Sequence, residues 1–207
     1  MDLILFGMQG SGKGTQGKFI AEKLGMKVFD TGAALREIVA SGTPLGDRVK
    51  EIINAGKHVD SETVMNVVAA FLEDVPQETP ILFDGIPRNA ANFAAFEPLM
   101  ASHGRSAQAL LLKISREEAM GRLTARKTCA KCKTVYGPEA GETCSLCGGE
   151  LIVRADDVPD AIRKRLDIFQ SETVPVIEEY RKQGRLIEVN GMRPVAEVTA
   201  EILSLVS

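Results

Sequence analysis

Nothing in this sequence of 207 residues is apolar for long enough to cross a bilayer. The first apolar run, Leu3 to Phe6, is short and follows the acidic Asp2, so no signal peptide is expected. The expected location is the cytoplasm, away from membranes. An excess of positive charge is missing too. Lys and Arg number 25 against 28 Asp and Glu, a net charge of −3, which leaves no electrostatic footprint for nucleic acid. There is no internal repeat and no low-complexity segment. Histidine is limited to two residues. No cysteine lies outside two C-x-x-C pairs, and in a chain without an export signal such pairs read as a metal site before they read as disulfides.

What is present suits a globular chain: 44% hydrophobic and 26% charged residues, and length enough for one core plus small inserted subdomains. A monomer is expected. Short apolar runs at Asp2–Phe6, Lys27–Phe29, Pro80–Asp84, Gln108–Lys113 and Arg185–Val189 read as buried parallel strands. Between them the spacing turns helical, as at Val64, Val67, Val68 and Phe71, or at Val195, Val198, Ile202 and Leu205. Ile162, Leu166 and Phe169 open another helix, whose regular part Pro175 should kink or end. The pattern predicts an α/β fold with a five-stranded parallel sheet covered on both faces. Two stretches break the alternation, a helical one from about Thr31 to Val59 and a cysteine-bearing one from about Lys127 to Asp157. Both read as insertions. The expected division is a core of residues 1–29, 60–126 and 158–207, an insertion at 30–59 and another at 127–157.

The first strand runs into Gly7-Met8-Gln9-Gly10-Ser11-Gly12-Lys13-Gly14-Thr15. A phosphate chain needs backbone N–H groups converging on it, and glycines let a loop curl closely around it. A helix starting near Lys13 adds its partial positive charge, and Lys13 a full one. Strand, loop, lysine and helix follow in the order of a P-loop. Gly14 stands where Ser or Thr usually offers a hydroxyl to Mg²⁺, and Thr15 follows one place later. Asp84-Gly85-Ile86-Pro87-Arg88 ends the third candidate strand, where ligands gather in open α/β sheets. Gly85 permits close approach, Pro87 stiffens the turn and Arg88 can grip a phosphate with two hydrogen bonds. Asp84 can hold a water on Mg²⁺ or cap the next helix. Thr31 and Arg36 can share one side of a short helix, or be a cap and a surface charge. Arg122 and Arg126, four apart on a predicted helix, share a face. Arg154 and Arg165 follow the cysteines, and each arginine taken alone reads as a surface charge rather than as a ligand.

Cys129-x-x-Cys132 and Cys144-x-x-Cys147 form two knuckles that can supply four thiolates tetrahedrally, and four soft sulfurs select Zn²⁺. With every position filled by protein, such a site is structural.

The G-K-G-T ending of the first loop resembles the adenylate kinase family. The likeness extends through DTGAALR at 30–36, DGIPR at 84–88, RLTAR at 122–126, RADD at 154–157 and RKRL at 163–166, essentially the whole chain. It implies a P-loop kinase core, an AMP-binding insertion and a zinc-bearing lid of the long bacterial type. It implies that ATP and AMP become two ADP with Mg²⁺. The resemblance places ATP on Gly10, Ser11, Gly12, Lys13, Gly14 and Thr15, with Val135, Tyr136 and Arg193 bordering its nucleoside. It places AMP at Thr31, Arg36, the Gly56-Lys57-His58-Val59 turn and Gly85-Ile86-Pro87-Arg88. Arg122, Arg126, Arg154 and Arg165 match the set that clamps both nucleotides' phosphates, with Asp156 and Asp157 orienting them. His58 is not read as catalytic, because a lone turn histidine is usually a surface residue; no protein base is needed, since an AMP phosphate is already an anionic nucleophile. Two positions depart from the family. Ala33 replaces a common Asp, and Asn92 stands where the family's Gln reads the adenine of AMP, so the resemblance places Asn92 in the AMP site with its amide kept but its reach shortened by about 1.5 Å.

Among rivals, a kinase for UMP, CMP or GMP is disfavoured by Thr31 and the long lid. A zinc-ribbon nucleic-acid-binding ATPase would need exposed aromatics and a basic ribbon. Residues 127–157 hold one Tyr, no Phe and more acidic than basic groups.

Overall fold

Consecutive residues of the first strand point into two different hydrophobic cores. Leu3 and Leu5 enter one, while Ile4 and Phe6 enter the other. This is the period-two geometry of a strand covered on both faces. The computed structural model describes residues 1–54, 59–154 and 157–206, with the backbone alone at 53 and 54.

Five parallel strands, β1 (Asp2–Phe6), β2 (Lys27–Asp30), β3 (Ile81–Asp84), β4 (Ala107–Lys113) and β8 (Leu186–Asn190), form a sheet in the order β2-β3-β1-β4-β8. One face carries α1 (Lys13–Leu24) and α9 (Val195–Val206), which bury Ile20, Ala21, Val198 and Ile202 on it. Gly17 lets α1 lie close: a Cβ there would sit 3.0 Å from Leu5 Cδ1. The other face carries α4 (Ser61–Glu73), α5 (Ala90–Ser102) and α8 (Val174–Lys182), which contribute Val68, Leu72, Phe96, Met100, Val176 and Ile177. Because β1 lies between β3 and β4, the chain leaves it at the point where strand order reverses, the usual place for a ligand crevice.

All five sequence-predicted strands are present, with ends shifted by a residue or so. The stretch from Thr31 is helical as expected, α2 (Thr31–Ala40) followed by α3 (Pro44–Asn54). Residues 127–152 hold a separate antiparallel sheet of β5 (Lys127–Cys129), β6 (Val135–Tyr136) and β7 (Leu151–Ile152), in the order β6-β5-β7. Beyond it, α7 (Pro159–Ile168) passes through a π turn at Phe169–Thr173 into α8. Pro175 lies in the first turn of α8, where the N–H it lacks is least missed. One expectation fails. The helix α6 spans Arg116–Thr124 and stops short of Arg126, so Arg122 and Arg126 do not share a helix face.

The end of the sheet remote from that crevice is tied by a buried ion pair. Arg105 donates to both carboxylate oxygens of Asp2 at 3.2 Å, and to the carbonyls of Thr79 and Pro76 at 3.2 and 2.6 Å. Asp2 Oδ1 also accepts from Ile81 N at 2.8 Å. Both side chains are 5% exposed. Removing one partner strands a buried charge, so Arg105→Met is expected to cost roughly 3–5 kcal/mol in urea unfolding. Turnover per folded molecule should be unchanged, since the pair lies at the amino ends of the strands. A loss under about 1 kcal/mol would mean the pair behaves as a surface bridge.

Candidate active site and metal centre

The loop after β1 turns on glycines whose φ angles are closed to other residues, Gly10 at 84° and Gly12 at 96°, the latter serving as N-cap of α1. The first-turn N–H groups of α1 are thereby presented to the crevice, a ready anion site. Gly14 and Thr15 lie exposed in that first turn, and Ser11 is buried beneath it. Lys13 Nζ folds back to donate to the carbonyls of Gly7 and Met8, at 2.6 and 3.2 Å. Burial lowers its pKa to about 8; Asp84 pulls the other way, while Arg88 and Arg126 add to the lowering. A cation held among cations and half out of water is poised for a polyanion.

Asp84, paired in register with Asp30 of β2 and Leu5 of β1, brings its carboxylate to the same end of the sheet. Burial raises its pKa, against the pull of Lys13, with Asp30 raising it further. It does not cap α5, which is capped by Asn89, whose Oδ1 accepts from Asn92 N at 2.8 Å. Nor does Thr31 cap α2. That role falls to Asp30, which accepts from Ala33 N at 2.9 Å, while the buried Thr31 donates to the Asp84 carbonyl at 3.3 Å. The exposed Arg36 guanidinium lies beside Gly32, 3.1 Å from where a Cβ would stand. Gly85, at φ 87°, lets Arg88 fold over it: a Cβ there would meet the guanidinium at 2.6 Å, and Arg88 Nε donates to the Gly85 carbonyl at 2.8 Å. The Ile86–Pro87 peptide is cis. Lys13 and Gly85-Ile86-Pro87-Arg88 line one cleft, together with Gln9 and Thr173.

Asp157, its side chain fully buried, gathers two of the arginines. Arg126 grips it with two hydrogen bonds at 2.7 and 2.8 Å, and Arg165 donates to it at 2.8 Å. These bonds hold the Asp157 pKa below its ordinary value although burial, the largest single influence, opposes them. Arg122 reaches under the first loop, donating to Gly10 O at 3.4 Å and Gly191 O at 3.0 Å, braced by Glu118 at 2.6 Å. Arg154 bonds Thr128 at 3.0 Å, tying the exit of β7 to β5. Arg193 is ion-paired with Glu201 on α9.

The sulfurs of Cys129, Cys132, Cys144 and Cys147 all lie within 4.8 Å of one another, with Cys129–Cys147 and Cys132–Cys144 at 3.5 Å, and none is in a disulfide. A tetrahedron of thiolates around a metal at about 2.3 Å has edges of about 3.8 Å, so this donor set fits a four-sulfur metal ion. Gly149 must be small here, since a Cβ would stand 2.9 Å from Cys129 Sγ.

A family model described as adenylate kinase matches residues 5–185. The chain belongs to the adenylate kinase family. It is therefore a phosphotransferase. Its relatives include adenylate kinases from Archaeoglobus fulgidus (36% identical over 98% of this chain and 96% of the relative), Dehalococcoides mccartyi (34% over 99% and 97%) and Thermodesulfovibrio yellowstonii (36% over 99% and 98%).

Among the positions the family resemblance singles out, Val135 is exposed on the outer strand β6, while Tyr136 turns its hydroxyl to Cys144 Sγ at 3.1 Å. Val59 packs against the core cluster that holds α4. Lys57 and His58, with Gly56 and Asp156, lie outside the described residues. Sequence reasoning missed Gln9, whose buried Oε1 has no partner among the described residues, and Thr173. The signal for Thr173 was Pro175, which announces irregular helix just before it.

Proposed function

We propose that this adenylate kinase family member transfers the γ-phosphoryl group of ATP to AMP, reversibly and with Mg²⁺, yielding two ADP. It does so as a cytoplasmic monomer and keeps the adenine nucleotides in balance. The supporting observation is the shared cleft: the lysine loop built for a phosphate chain and the Arg88 loop face each other across it.

In this reading the loop Gly10–Thr15 wraps the ATP phosphates while Lys13, Arg122 and Arg126 balance their charge. Val135, Tyr136 and Arg193 border the ATP nucleoside. AMP occupies the insertion at 30–59, through Thr31, Arg36 and the Lys57-His58-Val59 segment, with its phosphate on Arg88, Arg154 and Arg165. An AMP phosphate oxygen attacks the γ-phosphorus in line as the bond to the β–γ bridging oxygen breaks, and the electron pair leaves with ADP. No protein base is required, because the nucleophile is already ionised. Mg²⁺, held through water by Asp84, would neutralise phosphate charge. The segment 127–157 acts as a lid excluding water that would otherwise intercept the phosphoryl group, a closure for which adenylate kinase is a standard example. Zn²⁺ on the four thiolates would give that lid its fold.

Purified protein, ATP and Mg²⁺ incubated with AMP, UMP, CMP or GMP in turn should form ADP fastest with AMP. Turnover of another monophosphate with none above blank for AMP would overturn the assignment.

A further inference from the structure

Side chains from three helical segments are gathered around the backbone of a single residue, Arg88. Its N–H donates to Asn92 Oδ1 at 3.3 Å, from α5. Its carbonyl accepts from Thr173 Oγ1 at 2.9 Å, from the π turn ahead of α8. Asn92 is in turn held from α4, its Nδ2 donating to Ser61 Oγ at 2.7 Å. Asn92 and Thr173 are both buried, 7% and 8% exposed.

The amide orientation of Asn92 is dictated by these neighbours, because the Arg88 N–H can meet only an oxygen there. Both ends of the amide are then committed inside the protein. Turning the side chain toward a nucleotide base would leave the Arg88 N–H and the Ser61 hydroxyl to find other partners in a site with little water, a loss of the costly kind. A side chain one methylene shorter than Gln is also the wrong length to serve both purposes.

We propose that Asn92, braced by Ser61, and Thr173 are positioning residues that fix the Arg88 backbone through its N–H and its carbonyl, and that Asn92 does not read the acceptor base. This rests on the reading above in which Arg88 grips the acceptor phosphate. Every nucleoside monophosphate carries that phosphate, so the positioning set acts on all acceptors alike, and base discrimination is left to the segment beginning at Thr31. The π turn then has a purpose: it aims the Thr173 hydroxyl at a loop 85 residues away in sequence.

The test compares wild type with Thr173→Val, Thr173→Ser and Asn92→Ala, measuring KM for ATP, KM and kcat for AMP and a second monophosphate, and thermal unfolding. Thr173→Val should raise the acceptor KM about tenfold for both acceptors, the scale of one lost buried hydrogen bond, with the ATP KM within twofold of wild type. Thr173→Ser should restore it. Asn92→Ala should raise both acceptor KM values by one common factor, leaving the AMP preference as it was. A fall in unfolding temperature with unmoved KM values would show a merely structural role and overturn the proposal. So would a selective loss of AMP preference in Asn92→Ala, which would make Asn92 a base reader. If wild type prefers another monophosphate, the assignment of AMP fails by itself, and the same comparison run with that acceptor still decides what Asn92 and Thr173 do.

Discussion

Replacing Lys13 by Met should leave a folded protein whose turnover has fallen by about 10²–10³, a loss of about 3–4 kcal/mol of transition-state stabilisation. Met has a similar length and packs the same space. Of the two carbonyls that Lys13 satisfies, that of Gly7 belongs to a residue lining the cleft, and that of Met8 also accepts from Ser11 N at 3.1 Å. The charge has no substitute, for Arg88 and Arg126 belong to other segments and hold other parts of the site. The pH dependence carries the same signature. With its pKa lowered to about 8, Lys13 begins to lose its proton just above neutrality. Bound phosphate favours the ammonium and raises that pKa, so ATP binding above pH 8 must take up a proton. Affinity should fall by up to about tenfold per pH unit there in wild type and stay flat in Lys13→Met. Near-normal turnover in the folded mutant would remove the loop from the phosphate site.

Stripping the metal from the four-cysteine centre should melt the lid while the parallel sheet survives. The lid's own buried cluster consists of Cys129, Cys144 and Leu151, supported by Tyr136, Ala140 and Cys147. Half of those are the thiol residues themselves, so the apolar burial is far too small to order some thirty residues without a staple. Structural zinc supplies about 10–16 kcal/mol in small peptides, which makes metal binding and lid folding one event. The core owes nothing to it: its two sheet-face clusters, and a third between α6 and α7, contain none of the cysteines. After chelation, hydrogen exchange should accelerate across 127–152 and stay slow in β1, β3 and β4, and calorimetry should show a separate early transition. Activity should drop, since Arg126 and Arg154 are anchored at the lid's edges. Elemental analysis with thiol counting should give one ion per chain. Unchanged lid protection after metal loss, or two disulfides in the isolated protein, would contradict this.

The elements most legible in the sequence are those specified over a few neighbouring residues. The loop from Gly7 to Thr15 needs positive φ angles at fixed places, and only glycine supplies them cheaply, so spacing and chemistry coincide. The strands show because burial on both faces demands unbroken apolar runs. The cysteine knuckles show because tetrahedral thiolate geometry fixes the short spacing. Illegible features depend on residues that meet only after folding. Thr173 reaches Arg88 across 85 positions and Arg105 reaches Asp2 across 103, while the Asp157–Arg126 pair, across 31, is expected only through the family resemblance. No local pattern marks such pairs. The misplaced end of α6 has the same origin: four-residue spacing suggests a shared face, but Arg126 is drawn out of the helix toward the lid by Asp157. The shortened amide at Asn92 was visible as a departure, while its inward partners were not.

The central claim is direct transfer between two nucleotides bound on either side of one cleft, and the fate of a labelled phosphate tests it most directly. Protein supplied with ATP labelled at the γ-phosphate, AMP and Mg²⁺ should place the label in the β-phosphate of ADP, with two ADP formed per ATP consumed and no labelled inorganic phosphate. Label released as inorganic phosphate, with AMP left unchanged, would show a hydrolase and contradict the account.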